Sequence, residues 1–507
     1  MKNRSLAFLL AFFILGFAQR VTANHLVGAE VSYRSLDSFR YEVITKLYRD
    51  CSKGTIGGSI IYLRVGCDTS SNFEELDKTL VSIRKITDPC DTLSCKPSNT
   101  TGSRIGFEEF IYRSVVDLTA SKFQSLQNCC VLRFEIKACC FSNSVLNGGA
   151  NQYLYSYAAH NRCARITNEL PNRLDELVTR TCLNQPLYGS VHHRDGTERD
   201  SIQYSSVQPI YEYGNPMAYA SGYSLNVPIH LYDPTGKGWV NPNAYPPIGF
   251  YFDGKSGSVT TTPTLSGEYV LAVQVTEWTH DANGSPVWLS TKHYNTFLRV
   301  EACPGNNPPT MAGYTGHAVC VGDTICFDIT TDDKIKIPPP PMPNPPPDST
   351  KITWDQGIQG ATFEVLSDTA LHQTGRFCWV PDSAHFGLNY FQVKVQDNAC
   401  PIPSTIQKTF TINVQPRVDA AIKYTDLGCG QMEVDAQLLK SYGSSVRYLW
   451  SILDTNHLPF SPPYQPQMTG RYEYLSKDTV TSRFIGKQIL KLTTTAAGYC
   501  LREYIDT

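Results

Sequence analysis

The chain has 507 residues, more than one hydrophobic core organises, and so divides into roughly three to five domains. Its net charge is −2 with 18% charged residues, so no basic field is available to hold a phosphate backbone, and nucleic acid is excluded as a partner class. Tyrosine (29), phenylalanine (22), glycine (35) and proline (32) are plentiful, which suits short strands separated by turns.

At the amino terminus Lys2 and Arg4 form a positive n-region, Leu6 to Ala18 an apolar h-region, and Val21-Thr22-Ala23 a small-residue cleavage site. Gln19-Arg20 interrupts the apolar run before the ~20 residues that a spanning helix needs. Residues 1–23 are therefore expected to be a signal peptide, leaving 507 − 23 = 484 residues from Asn24, with no later membrane-spanning segment. All 17 cysteines lie downstream of that site, and in an exported chain they are expected to form disulfides. Seventeen is odd, so at least one thiol finds no partner inside this chain. Cys129-Cys130 and Cys139-Cys140 put four thiols within twelve residues, but adjacent pairs lack the C-x2-C spacing of structural zinc sites.

From Asn24 onward, alternating apolar runs predict strands at residues 27–34, 40–47, 59–65, 131–136 and 153–159. The two cysteine pairs flank residues 131–137 and should tie that strand to a neighbour at both ends. Residues 169–181 read as a short helix. Together residues 24–181 are expected to be one cysteine-rich β domain.

The strongest signal is an internal repeat about 120 residues apart. Gly257 and Pro263 are six apart, as are Gly375 and Pro381; Gly267 and Val275 are eight apart, as are Gly387 and Val395. Tyr269, Leu271, Val273 and Val275 share one face of a period-two run, and Phe391, Val393 and Val395 share one face of its copy. Solenoid units repeat every 20 to 50 residues or so; this longer interval implies tandem sandwich domains. The expected modules are residues 182–303 and 304–416, separated at the turn-forming Cys303-Pro-Gly-Asn-Asn-Pro-Pro309. Within the second, residues 337–347 form a polyproline stretch expected as a stiff surface loop. Residues 417–507 open a last sandwich with strands at 420–424, 446–452 and 488–494. Cys429 and Cys500, on its early and late strands, are expected to pair.

The chemistry searched for is mostly missing. No His-Glu-x-x-His, Gly-x-Ser-x-Gly or Gly-x4-Gly-Lys-Ser/Thr occurs, so the common zinc-protease, serine-hydrolase and phosphate-loop signatures are not there. His192-His193-Arg194-Asp195 is the densest titratable cluster and reads as a polar loop entering a strand. Calcium is the more serious candidate. Asp195 and Asp200 in the first repeat and Asp332 and Asp333 in the second hold comparable early positions, while Glu277 and Asp397 follow the matching strands. Hard carboxylate oxygens at module junctions are what calcium takes; Arg194 and Arg199 dilute the acidic pattern in the first repeat, and the alternative reading is of solvated turn acids.

With these residues laid out, the chain resembles secreted multi-domain surface proteins of gliding Gram-negative bacteria. The resemblance rests on His25-Leu-Val-Gly28, with Ala29 where a second glycine stands in the family, and on Tyr48-Arg-Asp-Cys51. The two cysteine pairs, Cys182-Leu-Asn-Gln-Pro186 and Glu277-Trp278 are further landmarks. Residues 420–507 are similar to a polycystic-kidney-disease-type (PKD) sandwich through Tyr448-Leu-Trp450 and Gly498-Tyr-Cys500, although Ser451-Ile-Leu-Asp454 replaces the usual Gly-Asp-Gly. The resemblance implies a gliding-motility-associated protein on the outer face of the cell.

The sequence thus predicts an all-β chain, tandem immunoglobulin/cadherin-like β-sandwich modules after a cysteine-rich β domain. The expected function is non-enzymatic adhesion or structure at the cell surface, with an extracellular surface, glycan or protein ligand and no cofactor unless calcium. The rivals are a secreted glycosidase whose catalytic unit is Asn24 to Arg180 with the repeats as spacers, and a carbohydrate-binding array using Trp278 and Trp288 as platforms.

Overall fold

The computed structural model describes residues 26–51, 61–68, 72–86, 106–149, 152–173, 178–194, 200–281, 283–303, 306–333, 348–366, 371–400, 402–429, 431–439, 446–453, 467–468, 477–481, 489–496 and 500–506. The expected signal peptide, Asp195 and the polyproline run lie outside them. Among the described residues the chain is strand throughout, and the helical elements are two 3-10 turns, Ser121–Leu126 and Ser383–His385. It is an all-β, disulfide-bonded protein built of sandwich modules.

The amino-terminal strands fall close to expectation: Leu26–Ser35, Arg40–Asp50, Ile61–Cys67, Val131–Ala138 and Leu154–Asn161. Two more, Thr79–Ile86 and Phe107–Asp117, extend the sheet beside Arg40–Asp50. Phe107–Asp117 escapes the apolar pattern because Glu108 and Glu109 are inside. Their charges are met there: Arg49 Nη2 lies 2.6 Å from Glu108 Oε2, and Glu109 takes the Tyr48 hydroxyl and Arg84 Nε at 3.1 Å.

The helix expected at 169–181 does not form. Val178–Cys182 is instead a strand, parallel to Pro286–Glu301 from Val178↔Phe297 to Cys182↔Glu301. Its β-branched Val178, Thr179 and Thr181 favour a pleated surface once a partner strand is available. The strand Val131–Ala138 is tied at its start alone, by Cys129 to Cys67 and Cys130 to Cys163. At its far end Cys139 is bonded to Cys140, which leaves no thiol there to reach a neighbour.

The repeat recurs strand by strand. In the first copy one sheet orders Val178–Cys182, Pro286–Glu301, Gly267–His280 and Ser201–Val207, and the facing sheet holds Leu187–Ser190, Ser258–Thr261 and Tyr251–Phe252. In the second, the matching sheets are Gly316–Cys320, Thr405–Gln415, Gly387–Asp397 and Thr350–Trp354, and then Thr310–Ala312, Ile325–Asp332, Thr374–Trp379 and Thr362–Val365. Both open with a strand parallel to the last one, whereas the other strand-to-strand ladders among the described residues are antiparallel. The first copy is closed at its ends by Cys182–Cys303, Cα atoms 5.5 Å apart. Its core gathers Leu187, Ile229, Tyr269, Leu298 and Val300; the second core stacks Phe377 on Phe391, ring centroids 4.2 Å apart.

The copies differ on the outer face of the long strand. Val270 and Ala272 are buried, because Pro286–Glu301 also pairs with Leu154–Asn161 and Leu26–Ser35. Phe297 then meets Phe107 edge-on, centroids 6.1 Å apart. The sheet therefore runs across residues 181 and 182, where the sequence expectation separates two domains.

The last sandwich sets Ala420–Gly428, Gln431–Leu438, Lys477–Thr481 and Gln467–Met468 against Val446–Leu453, Ile489–Ala496 and Cys500–Asp506, around Val434, Trp450 and Leu492. Cys500 is not paired with Cys429 but with Cys320 of the second repeat, Cα atoms 5.7 Å apart. Cys429 sits exposed in the turn after Ala420–Gly428, whereas Cys500 opens a buried strand end that abuts the neighbouring module.

Candidate cation site at the junction of the repeats

The two repeats dock side by side. Gln185, just past the first strand of one repeat, donates to the Asn306 carbonyl at 2.8 Å, and Ser404 Oγ of the next donates to Gln185 Oε1 at 3.2 Å. Beside this contact the strands Ile325–Asp332 and Gly387–Asp397 both end in acidic residues, and Thr350, which pairs with Asp397, hydrogen-bonds Thr331 at 2.5 Å.

Asp397 is 2% exposed and fully engaged. Its Oδ1 accepts from the backbone N–H of Ala399 (3.1 Å) and Ser404 (2.9 Å), and Oδ2 from Asn306 Nδ2 at 3.1 Å. This is an Asx-type turn that a strand-ending aspartate favours. Burial still outweighs these bonds and pushes its carboxyl up to about 6. Asp333 is 5% exposed, and among the described residues neither of its carboxylate oxygens has a hydrogen-bond partner. Burial, then the charges of Asp397, Asp348 and Asp332, push it up to about 7. Asn306 is also buried; its Nδ2 reaches the Ile402 carbonyl (3.3 Å) and Ser404 Oγ (3.0 Å), while Oδ1 has no partner.

Among the described residues, both oxygens of Asp333 and Oδ1 of Asn306 thus lack a donor, and the charges of Asp397, Asp348 and Asp332 bear on Asp333. Unmet buried polar groups are rare and each one calls for a reason. Among the described residues no three His, Cys, Asp or Glu side chains gather to hold a metal ion. A hard cation here would thus take the Asp333 carboxylate, Asn306 Oδ1 and the edge of Asp397, and complete its shell with neutral oxygens. That donor set fits calcium of the weak extracellular kind, with dissociation constants of about 10⁻⁴–10⁻³ M.

Of the six expected ligands the structure brings Asp333 and Asp397 together. Asp332 faces outward, its side chain 56% exposed and 3.7 Å from His372 Nε2. Asp200 takes a bidentate clamp from Arg165, at 2.5 and 2.7 Å. Glu277 is fully buried and accepts from Asn168 Nδ2 (2.7 Å) and Ser290 Oγ (2.6 Å). Asp195 lies outside the described residues.

No family model matches this chain, and no curated protein does. Solved structures similar to it include a three-domain segment of titin (12% identity, 65% of this chain, 94% of that one, TM-score 0.24). Drosophila N-cadherin gives 15% identity over 77% of this chain and 86% of that one, TM-score 0.19. An endo-fucoidan hydrolase of glycoside hydrolase family 107 gives 12% identity over 65% and 42%, TM-score 0.16. These superpositions are too loose for any argument to rest on them.

The other sequence candidates resolve into packing. The nearby cysteines are oxidised, which removes the zinc reading for Cys129, Cys130, Cys139 and Cys140. His193 is buried against Tyr204 and Tyr294; burial holds its imidazole well below the usual range, and Nδ1 lies 2.7 Å from the Val191 carbonyl. Trp278 and Trp288 are half-buried, and Trp288 donates its indole N–H to Thr291 Oγ1 at 2.7 Å. Sequence reasoning missed Asn306, because the whole stretch from Cys303 to Pro309 reads as linker; the doubled asparagine Asn306-Asn307, set between Gly305 and Pro308, is its signal.

Proposed function

We propose that the chain is a non-enzymatic secreted or cell-surface protein whose sandwich modules present a surface to an extracellular glycan or protein ligand, with a calcium ion stiffening the junction of its two repeats. The observation that carries this reading is Asp333, a carboxylate almost wholly buried at a module junction with no donor for either oxygen among the described residues. An extracellular cation answers that demand, and locking a junction is useful to a protein that displays surfaces on a stiff rod. Four of the buried carboxylates of residues 24–181 support a structural role for that region: Glu42, Glu108, Glu109 and Glu135 each face an arginine, from Arg113, Arg49, Arg84 and Arg64. The setting we propose, on the resemblance carried by His25–Gly28 and Tyr48–Cys51, is the outer face of a gliding Gram-negative bacterium.

Calorimetry with added calcium chloride tests the junction. The melting temperature should rise through the millimolar range, fall again on chelation, and stay flat in Asp333→Asn. In parallel, whole-cell binding and a hydrolase screen test the function. Hydrolysis of any glycan or peptide that is lost on mutating a single carboxylate within residues 24–181 would overturn the non-enzymatic reading.

A further inference from the structure

A second feature lies along the same seam, on the side occupied by the long loop between Ile210–Glu212 and Tyr251–Phe252 of the first repeat. There a cleft of about 660 Å³ opens between that repeat and strand Thr405–Gln415 of the second. Its size falls within the ~300–1,000 Å³ usual for small-ligand sites. Tyr188, Tyr245 and Tyr251 line it, and Tyr245 is 83% exposed. Trp239 on the same loop is 64% exposed. An aromatic ring so uncovered contributes nothing to the core, yet it is a large, stiff contact surface that loses little entropy on binding.

The cleft's charge is balanced. Its charged lining residues are Asp253 and Lys408. Asp253 accepts from Ser256 Oγ (2.7 Å) and the Lys255 N–H (3.0 Å), while Lys408 Nζ donates to the Met311 carbonyl at 3.0 Å and burial lowers its pKa. A phosphorylated, sulfated or sialylated ligand would find one cation, already engaged, and one opposing carboxylate. The remaining lining sets the three tyrosines and several prolines beside the polar side chains of Ser258, Thr409 and Asn243. Stacking faces beside directional hydrogen-bonding groups, with no net charge, match a pyranose chain: apolar C–H faces and hydroxyl edges.

We propose that this cleft binds a neutral oligosaccharide, with Tyr245 as its stacking platform and Asn243 as a hydroxyl-reading side chain. The inference rests on the surface-binding reading above and supplies its ligand class. The test is calorimetric titration of the full secreted chain with neutral hexasaccharides (cello-, xylo-, manno-, malto- and laminari-series), sulfated fucan and chondroitin fragments, and an extended peptide library as comparators. At least one neutral hexasaccharide should bind, Tyr245→Ala should weaken it about tenfold or more, as loss of a central aromatic contact does, and Asn243→Ala should weaken it without changing the melting temperature. Both residues are in a surface loop, so folding is not at stake; circular dichroism of each variant confirms it. Failure of every neutral hexasaccharide, preference for the sulfated fragments or peptides, or binding that survives Tyr245→Ala overturns the proposal. Whole-cell binding that persists in Tyr245→Ala would sink the glycan cleft alone and leave the surface-binding reading standing.

Discussion

The side-chain amide of Gln392, in the second repeat, donates to the hydroxyl of Ser190 in the first. Ser190 Oγ in turn donates to the Gly257 carbonyl at 3.2 Å, and Gln392 Oε1 accepts from Gln407 Nε2 at 2.6 Å. A few residues away Ser258 Oγ and Thr409 Oγ1 are 2.6 Å apart. The sheet face of one module is therefore cross-linked to its neighbour by polar side chains, in a contact from which water is largely excluded at Gln392, 1% exposed. A buried side-chain network of this kind fixes orientation more than it adds raw stability.

Removing the middle of that relay should uncouple the modules. Gln392→Ala leaves Ser190 and Gln407 without their buried partner, which costs about 1–3 kcal/mol. Thermal unfolding should change from one joint transition for the two repeats to two, and small-angle scattering should show a longer chain. A single unchanged transition in the variant would mean the seam is only a packing contact.

Asp333 gives the junction a pH dependence with a defined sign. Its folded-state value of about 7 lies above the ~3.9 of an aspartate in an unfolded chain. Between roughly pH 4 and 7 the folded chain thus holds a proton that the unfolded chain has released, so calcium-free stability falls as pH rises through that window. Asp397, raised to about 6, adds in the same direction. Asp333→Asn removes the buried charge and should stabilise the calcium-free protein at pH 8 by about 1–3 kcal/mol. In saturating calcium the order reverses, because the variant has lost the ligand. Urea melts at pH 5 and pH 8, with and without chelator, measure all four corners.

Much of this architecture is legible in the sequence, for identifiable reasons. Strand Leu26–Ser35 and its partner Arg40–Asp50 show themselves by alternation around a short loop, and the repeat by glycine and valine spacings that recur because the strands they bound recur. Phe107–Asp117 stays hidden because burial of Glu108 and Glu109 depends on Arg49 and Arg84, far away in sequence. Val178–Cys182 depends likewise on its parallel partner, an example of tertiary context overriding local preference. Of the junction, Asp333 is visible as an acid early in its repeat and Asp397 as one that follows a strand. Asp200 looks the same in sequence, and only Arg165 opposite it tells it apart. Disulfide partners follow from the placement of modules, which no spacing of Cys429 and Cys500 encodes.

The first repeat also buries an ion pair. Lys292 is fully buried with its ammonium against Glu30, a contact that joins strand Pro286–Glu301 to the amino-terminal strand. Burial alone would raise the Glu30 carboxyl, and the charges of Lys292, Lys46 and Arg173 with the Lys292 hydrogen bond together hold it below its usual value, while Lys292 itself is held below its usual value by burial. Lys292→Met should cost about 3–5 kcal/mol by stranding a buried carboxylate, and Glu30→Leu combined with Lys292→Met should recover most of it. A double-mutant cycle by chemical denaturation reads the coupling. Additive losses would show that the two groups act independently.

Cys320–Cys500 joins modules whose bonded residues are 180 apart in sequence, and among the described residues it is the disulfide between the second repeat and the last sandwich. Closing so long a loop restricts the unfolded chain, and native bridges of this type contribute about 2–4 kcal/mol. Its loss should fall on the last sandwich, since Cys500–Asp506 is an edge strand that pairs with Ile489–Ala496 and is fastened on its other side through Tyr504, whose hydroxyl donates to the Val418 carbonyl at 2.6 Å and accepts from the Ala420 N–H at 3.0 Å. The single variant Cys320→Ser is a poor test, because it frees Cys500 in the same module as the exposed thiol of Cys429 and invites the alternative bridge. The double variant Cys320→Ser/Cys500→Ser avoids that exchange. It should lower the melting transition of the last sandwich and open it to limited proteolysis while residues 26–416 stay protected. Equal protease resistance in the double variant and the parent would show that packing, and not the bridge, holds the last module in place.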